Sequence, residues 1–84
     1  MIINFIADPS HGWGEVPVKL IHDLGIAGKI SRYSYVKGEN AYLEEDCDLG
    51  IFIHALESTG EKVSFEEHHS NYDSWVRNCQ RWQA

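Results

Sequence analysis

Apolar positions recur along the chain in short blocks whose period switches between two and three to four, and each switch marks an element. Ile2 to Ala7 is apolar except for Asn4, the pattern of a strand buried on both faces. Asp8-Pro9-Ser10-His11-Gly12 ends it as a turn. Trp13-Gly14-Glu15-Val16 then predicts a short returning strand, with Trp13 and Glu15 on one face. Pro17 suits the first position of a helix, and Val18, Ile21 and Leu24 continue an apolar face until Gly25 stops it. Ile30 to Val36 alternates and predicts a strand. Lys37-Gly38-Glu39-Asn40 reads as a hairpin loop, and Ala41 to Glu45 returns from it. Leu49, Phe52, Ile53 and Leu56 form an i, i+3, i+4, i+7 stripe, the strongest helical signal in the chain, which Gly60 closes. Asp46 or Asp48 is the expected cap of that helix. Lys62 to Glu67 predicts a half-exposed strand, ended by His68-His69-Ser70-Asn71. In the tail, Trp75, Cys79 and Trp82 follow a candidate cap at Asp73, which predicts a short helix or turn docking two indoles onto the body.

The resulting order is α+β: two helices covering one face of a mostly antiparallel sheet of four to five strands, with a short C-terminal helix or tail. The split βαβ, ferredoxin-like arrangement is the nearest named pattern. At 84 residues there is room for one domain, 1–84, of which 71–84 is an appendage. Apolar residues make up 43% and charged residues 24%, which excludes disorder over most of the length. The first residues are apolar but carry no basic leader and are too short to span a membrane, so a cytoplasmic protein is expected. Cys47 and Cys79 do not make a disulfide framework and read as free thiols.

Formal net charge is −6, which disfavours direct binding to nucleic acid or an anionic membrane and favours a basic partner. From Glu39 to Asp48 there are five acids and no lysine or arginine. Glu39, Glu44, Glu45, Asp46 and Asp48 therefore form a candidate partner-binding patch, with Trp13, Tyr33, Tyr35 and Tyr42 as candidate aromatic anchors. The same carboxylates are the oxygen ligands a hard cation wants, but they lack the spacing and central glycine of a calcium loop. Asp8, His11 and Glu15 around the first turn suggest acid-base or metal chemistry, as does Glu66 to His69. Turn residues of this type also serve their own backbone. Cys47, beside three acids, is expected to hold its proton rather than act as a nucleophile. No nucleotide loop, paired-cysteine metal site or nucleophile elbow is present, so no catalytic residue, metal ligand or cofactor is assigned.

Ala7-Asp8-Pro9-Ser10-His11-Gly12-Trp13, Glu15-Val16-Pro17, Ile30-Ser31-x-Tyr33-Ser34-Tyr35 and Tyr42-Leu43-Glu44-Glu45-Asp46-Cys47-Asp48 together resemble a group of small proteins encoded by bacteriophages and mobile elements. The resemblance covers most of residues 5 to 60, leaves out the tail beyond Glu67, and carries no catalytic residue with it. In size and charge the chain is similar to anti-CRISPR proteins that occupy the DNA-binding surface of a type I interference complex. The resemblance implies a non-enzymatic inhibitor, monomeric or homodimeric, in the cytoplasm of an infected host. Two other classes remain open. One is a small metal-dependent or acid-base enzyme built on Asp8, His11 and Glu15. The other is a phage structural or assembly subunit that self-associates through Trp75 and Trp82.

Overall fold

The structure is a computed structural model describing residues 1–83. Six strands form one mixed sheet, flanked on one face by two helices. In chain order these are β1 (Ile2–Ala7), β2 (Gly12–Pro17), α1 (Val18–Asp23), β3 (Tyr35–Lys37), β4 (Asn40–Glu44), α2 (Asp48–Glu57), β5 (Ser64–His69) and β6 (Gln80–Arg81). Single 3-10 turns lie at Ala27–Lys29 and Trp75–Asn78. The spatial order is β5-β1-β2-β4-β3-β6, with every pair antiparallel except β1 and β5. Leaving out β1, the run β2-α1-β3-β4-α2-β5 keeps the split βαβ arrangement: β4 lies between the parallel strands β2 and β3, and a helix joins each parallel pair. The N-terminal strand is wedged between β5 and β2. That insertion creates the one parallel contact and adds a central strand.

The period-two pattern explains which face each strand buries. Ile3, Val16, Ala41 and Leu43 point toward the helices and pack against Ile21 of α1 and Leu49, Phe52 and Leu56 of α2. Gly14 shares that face because α2 sits directly on it: a Cβ there would meet Leu49 Cδ1 at 2.5 Å. At the end of α1, Gly25 takes φ +72°. Its N–H donates to His22 O at 3.0 Å while the Ile26 N–H donates to Ile21 O at 3.2 Å, a closure that brings Ile26 onto Ile21 in the core.

Trp13, Tyr35 and Tyr42 bury the opposite face under Val76 of the tail. The tail therefore belts the sheet. It crosses this second face at Trp75–Asn78, pairs as β6 with the edge strand β3, and returns to the helix side with Trp82. Trp82 is 3% exposed; its indole N–H donates to Ala27 O at 3.2 Å and its backbone N–H to Ser34 O at 2.8 Å.

Several sequence expectations change. The strand over Ile30 to Val36 shrinks to Tyr35–Lys37, because Ser31 to Ser34 fold into a turn around the buried Asp48 carboxylate. Asp48 opens α2 but does not cap it, since its oxygens accept from Ser31 N–H at 3.0 Å and from the Ser31 and Ser34 hydroxyls. His68 and His69 lie inside β5 rather than ending it, and all six residues of that strand are exposed. Ser74, not Asp73, caps the tail turn, its Oγ accepting from the Val76 N–H at 3.3 Å. Of the two indoles expected to dock, Trp82 is buried and Trp75 stays 46% exposed with its ring edge against Tyr42. Cys47 and Cys79 are free thiols, and no helix among the described residues is long and apolar enough to cross a membrane.

Candidate functional site

Three loops and the tail meet at one end of the second sheet face. The β1–β2 turn is closed by Asp8 in two ways: its N–H donates to His11 O at 2.9 Å, and its Oδ1 accepts from the His11 N–H at 3.0 Å. This fixes the backbone that carries His11. Across the sheet, Trp13 pairs in register with Glu44, and the Glu45 N–H donates to Gly12 O at 3.0 Å, extending the β2–β4 contact to the turn. Pairing thus sets the end of β4 beside the His11 turn. His11 Nδ1 lies 3.9 Å from Glu44 Oε1.

Between these loops and the tail is a cavity of about 450 Å³. Trp13 and Tyr35 line its aromatic side, with Tyr33 at an outer edge. His11, Glu44, Asp46 and Cys47 form one wall, and Arg77 and Arg81 the other. Both guanidiniums are committed within the molecule. Arg77 donates from Nε to Asp8 Oδ2 at 2.6 Å and lies 5.3 Å from the Trp13 ring, while Arg81 sits 4.9 Å over Tyr35 and donates to Arg32 O at 3.0 Å. The acidic wall has no such partner: among the described residues Glu44 is paired only with His11, and Glu45 and Asp46 make no ion pair.

The electrostatics follow from that asymmetry. Burial holds the Glu44 carboxyl above its ordinary range; the Asp46 backbone amide works against this and the Asp46 carboxylate reinforces it. The Cys47 thiol is pushed up, first by the charge of Asp48, as expected for a cysteine among acids and opposite to what a nucleophile needs. Trp13 is 2% exposed, and its Nε1–H is a buried donor without an acceptor among the described residues.

The expected patch is divided by the fold. Glu39 lies at the far end of β4 from Glu44, about 17 Å away at a strand rise of about 3.4 Å per residue. Asp48 is wholly buried and engaged by Ser31 and Ser34, so it is not a surface contact. Glu44 is 9% exposed, which leaves Glu45 and Asp46 as the open members. Of the aromatic anchors only Tyr33 is exposed, at 70%; Trp13, Tyr35 and Tyr42 belong to the second core. Burial first, then the neighbouring Glu15 carboxylate, keeps the Tyr42 hydroxyl protonated well above its usual range.

The Asp8, His11 and Glu15 constellation does not assemble. The Asp8 oxygens accept from the N–H groups of Ser10, His11 and Ser74 and from Arg77, and Glu15 faces Asn4 on the open half of the sheet. His11 joins Glu44 and Asp46 instead. Glu66 and His68 fall on the opposite strand face from Glu67 and His69, so that run does not converge either. Of the two indoles expected to mediate self-association, Trp82 is buried in the core and Trp75 is half-exposed. The Asp8–Arg77 pair spans 69 positions and has no local signature in the sequence. A larger hollow of about 580 Å³ between β3 and the tail, lined by Val36, Lys37 and Trp75, brings together no comparable set of groups. No protein-family model, curated protein or solved structure matches the chain.

Proposed function

We propose that this is a non-catalytic binding protein that docks on a positively charged surface of a partner, with Glu45 and Asp46 as the acidic contact and Tyr33 as the aromatic neighbour. The observation that carries the reading is the exposed pair Glu45 and Asp46, which makes no ion pair among the described residues, with Asp46 lining a concave site beside a tyrosine left 70% exposed. An exposed tyrosine next to open carboxylates offers apolar area and charge complementarity together, the combination that anchors a basic side chain. A net charge of −6 favours the approach of such a surface.

The partner class comes from the resemblance: a host nucleoprotein whose basic surface normally holds DNA, as in a type I interference complex. With Glu39 distant and Asp48 buried, the chain acts as a local plug on one or two lysines or arginines rather than as an imitation of an extended phosphate backbone. The test is DNA binding by a purified type I interference complex, followed by electrophoretic mobility shift with and without the chain. The wild-type chain should displace DNA, Glu45→Lys with Asp46→Lys should weaken that by at least about tenfold, and Tyr33→Ala should weaken it less. A chain that leaves DNA binding untouched, or a double reversal as potent as wild type, removes this reading.

A further inference from the structure

Within the same pocket, one nitrogen and two carboxylates converge from separate elements. Ligating atoms of His11, Glu44 and Asp46 all lie within 4.8 Å of one another. We propose that these three side chains form a site for a single first-row divalent transition ion, for which Zn²⁺ is the probe. The site shares Asp46 with the docking rim, but it is read on the isolated chain, so the two proposals fail separately.

Donor chemistry selects the ion class. An imidazole with two carboxylates suits zinc or its first-row neighbours, whereas calcium and magnesium favour all-oxygen shells. Metal–ligand bonds of about 2.1 Å in a tetrahedral site put ligand atoms about 3.4 Å apart. His11 Nδ1 and Glu44 Oε1 are 3.9 Å apart, so small side-chain rotations close the set without moving backbone. His11 and Asp46 are exposed and free to make them. The backbone positions are already fixed, by the Asp8 turn for His11 and by pairing with Trp13 for Glu44. Among the described residues, neither guanidinium lining the pocket makes an ion pair with these carboxylates: Arg77 is bound to Asp8, and Arg81 stacks on Tyr35 and donates to the Arg32 carbonyl.

Three protein ligands leave a fourth coordination position for water or a further ligand.

Isothermal titration of the full chain with Zn²⁺ in a non-coordinating buffer tests the site. A single ion per chain is expected, with affinity lowered at least about tenfold by Asp46→Asn and by His11→Ala. His68→Ala with His69→Ala should leave it unchanged. Asp46 is exposed, so Asp46→Asn decides the matter if His11→Ala disturbs the turn, and circular dichroism checks that each variant keeps the fold. Absence of binding overturns the proposal, as does binding indifferent to Asp46→Asn in a folded variant or lost with the His68 and His69 substitutions.

Discussion

Asp8 and Glu44 are both nearly buried acids, 7% and 9% exposed, and their surroundings push them in opposite directions. The Arg77 guanidinium, helped by three backbone N–H groups, holds the Asp8 carboxyl well below its ordinary value of 3.8 despite the cost of burial. Its folded pKa is depressed, so its stabilisation is complete above 3.8 and fades as pH falls below that value toward the folded one. Glu44 has a raised folded pKa, so it costs nothing below its ordinary 4.5 and destabilises as pH rises above it. Thermal midpoints measured across the acid range should separate the two. Asp8→Asn should cost about 3 kcal/mol near neutrality by leaving Arg77 without its anion, with the difference shrinking at low pH. Glu44→Gln should raise the midpoint near neutrality and leave it unchanged below pH 4.5. At this scale the sequence was legible where a residue acts on its neighbours, as Cys47 does among acids. It was opaque where the partner lies 14 or 17 positions away, as for Asp48 with Ser34 and Ser31.

Among elements, those with a strong period could be read directly. The core stripe of α2 follows its apolar spacing, and Gly25 stops α1 where expected. By contrast, β1 is the central strand expected but is not buried on both faces, since Ile2 is 70% exposed and Asn4 and Ile6 beside it are only half-buried. The segment before β3 misled because Ile30 to Val36 alternates as a strand would, while its serines are drawn out of the extended form by Asp48. The tail misled differently: helical spacing of Trp75 and Trp82 placed both indoles on one face, whereas the chain passes around the β3 edge between them. Their energetic roles should differ accordingly. Trp82→Ala should cost about 3 to 5 kcal/mol, since it empties a core position and leaves the Ala27 carbonyl without its donor, and Trp75→Ala less than about 1.5 kcal/mol. Urea midpoints for the two variants measure the contrast; equal losses would remove the belt as a structural element.

For the molecule as a whole, four strands, β1, β2, β4 and β3, have neighbours on both edges once β1 is wedged between β5 and β2 and β6 pairs with β3. Their backbone amides should exchange with solvent only on global unfolding. Those of β5 and β6, which lie at the sheet edges with exposed side chains, should exchange through local opening. Amide exchange followed by NMR checks that ranking, and uniform protection would contradict it. The fold class was readable because it needs only the succession of periods. The candidate site was readable only in pieces: His11 belonged to one suspected constellation and Glu44 with Asp46 to another, and nothing short of the β2–β4 register unites them.

That same belt completes the domain. Trp82 fills a place between α1 and the 31–34 turn that no earlier residue supplies, and Arg77 is the counter-ion for Asp8 near the beginning. The core position and the inner acid are complete only with the tail docked, so removing residues 77–82 should leave an apolar groove and an unpaired carboxylate in the rest of the fold.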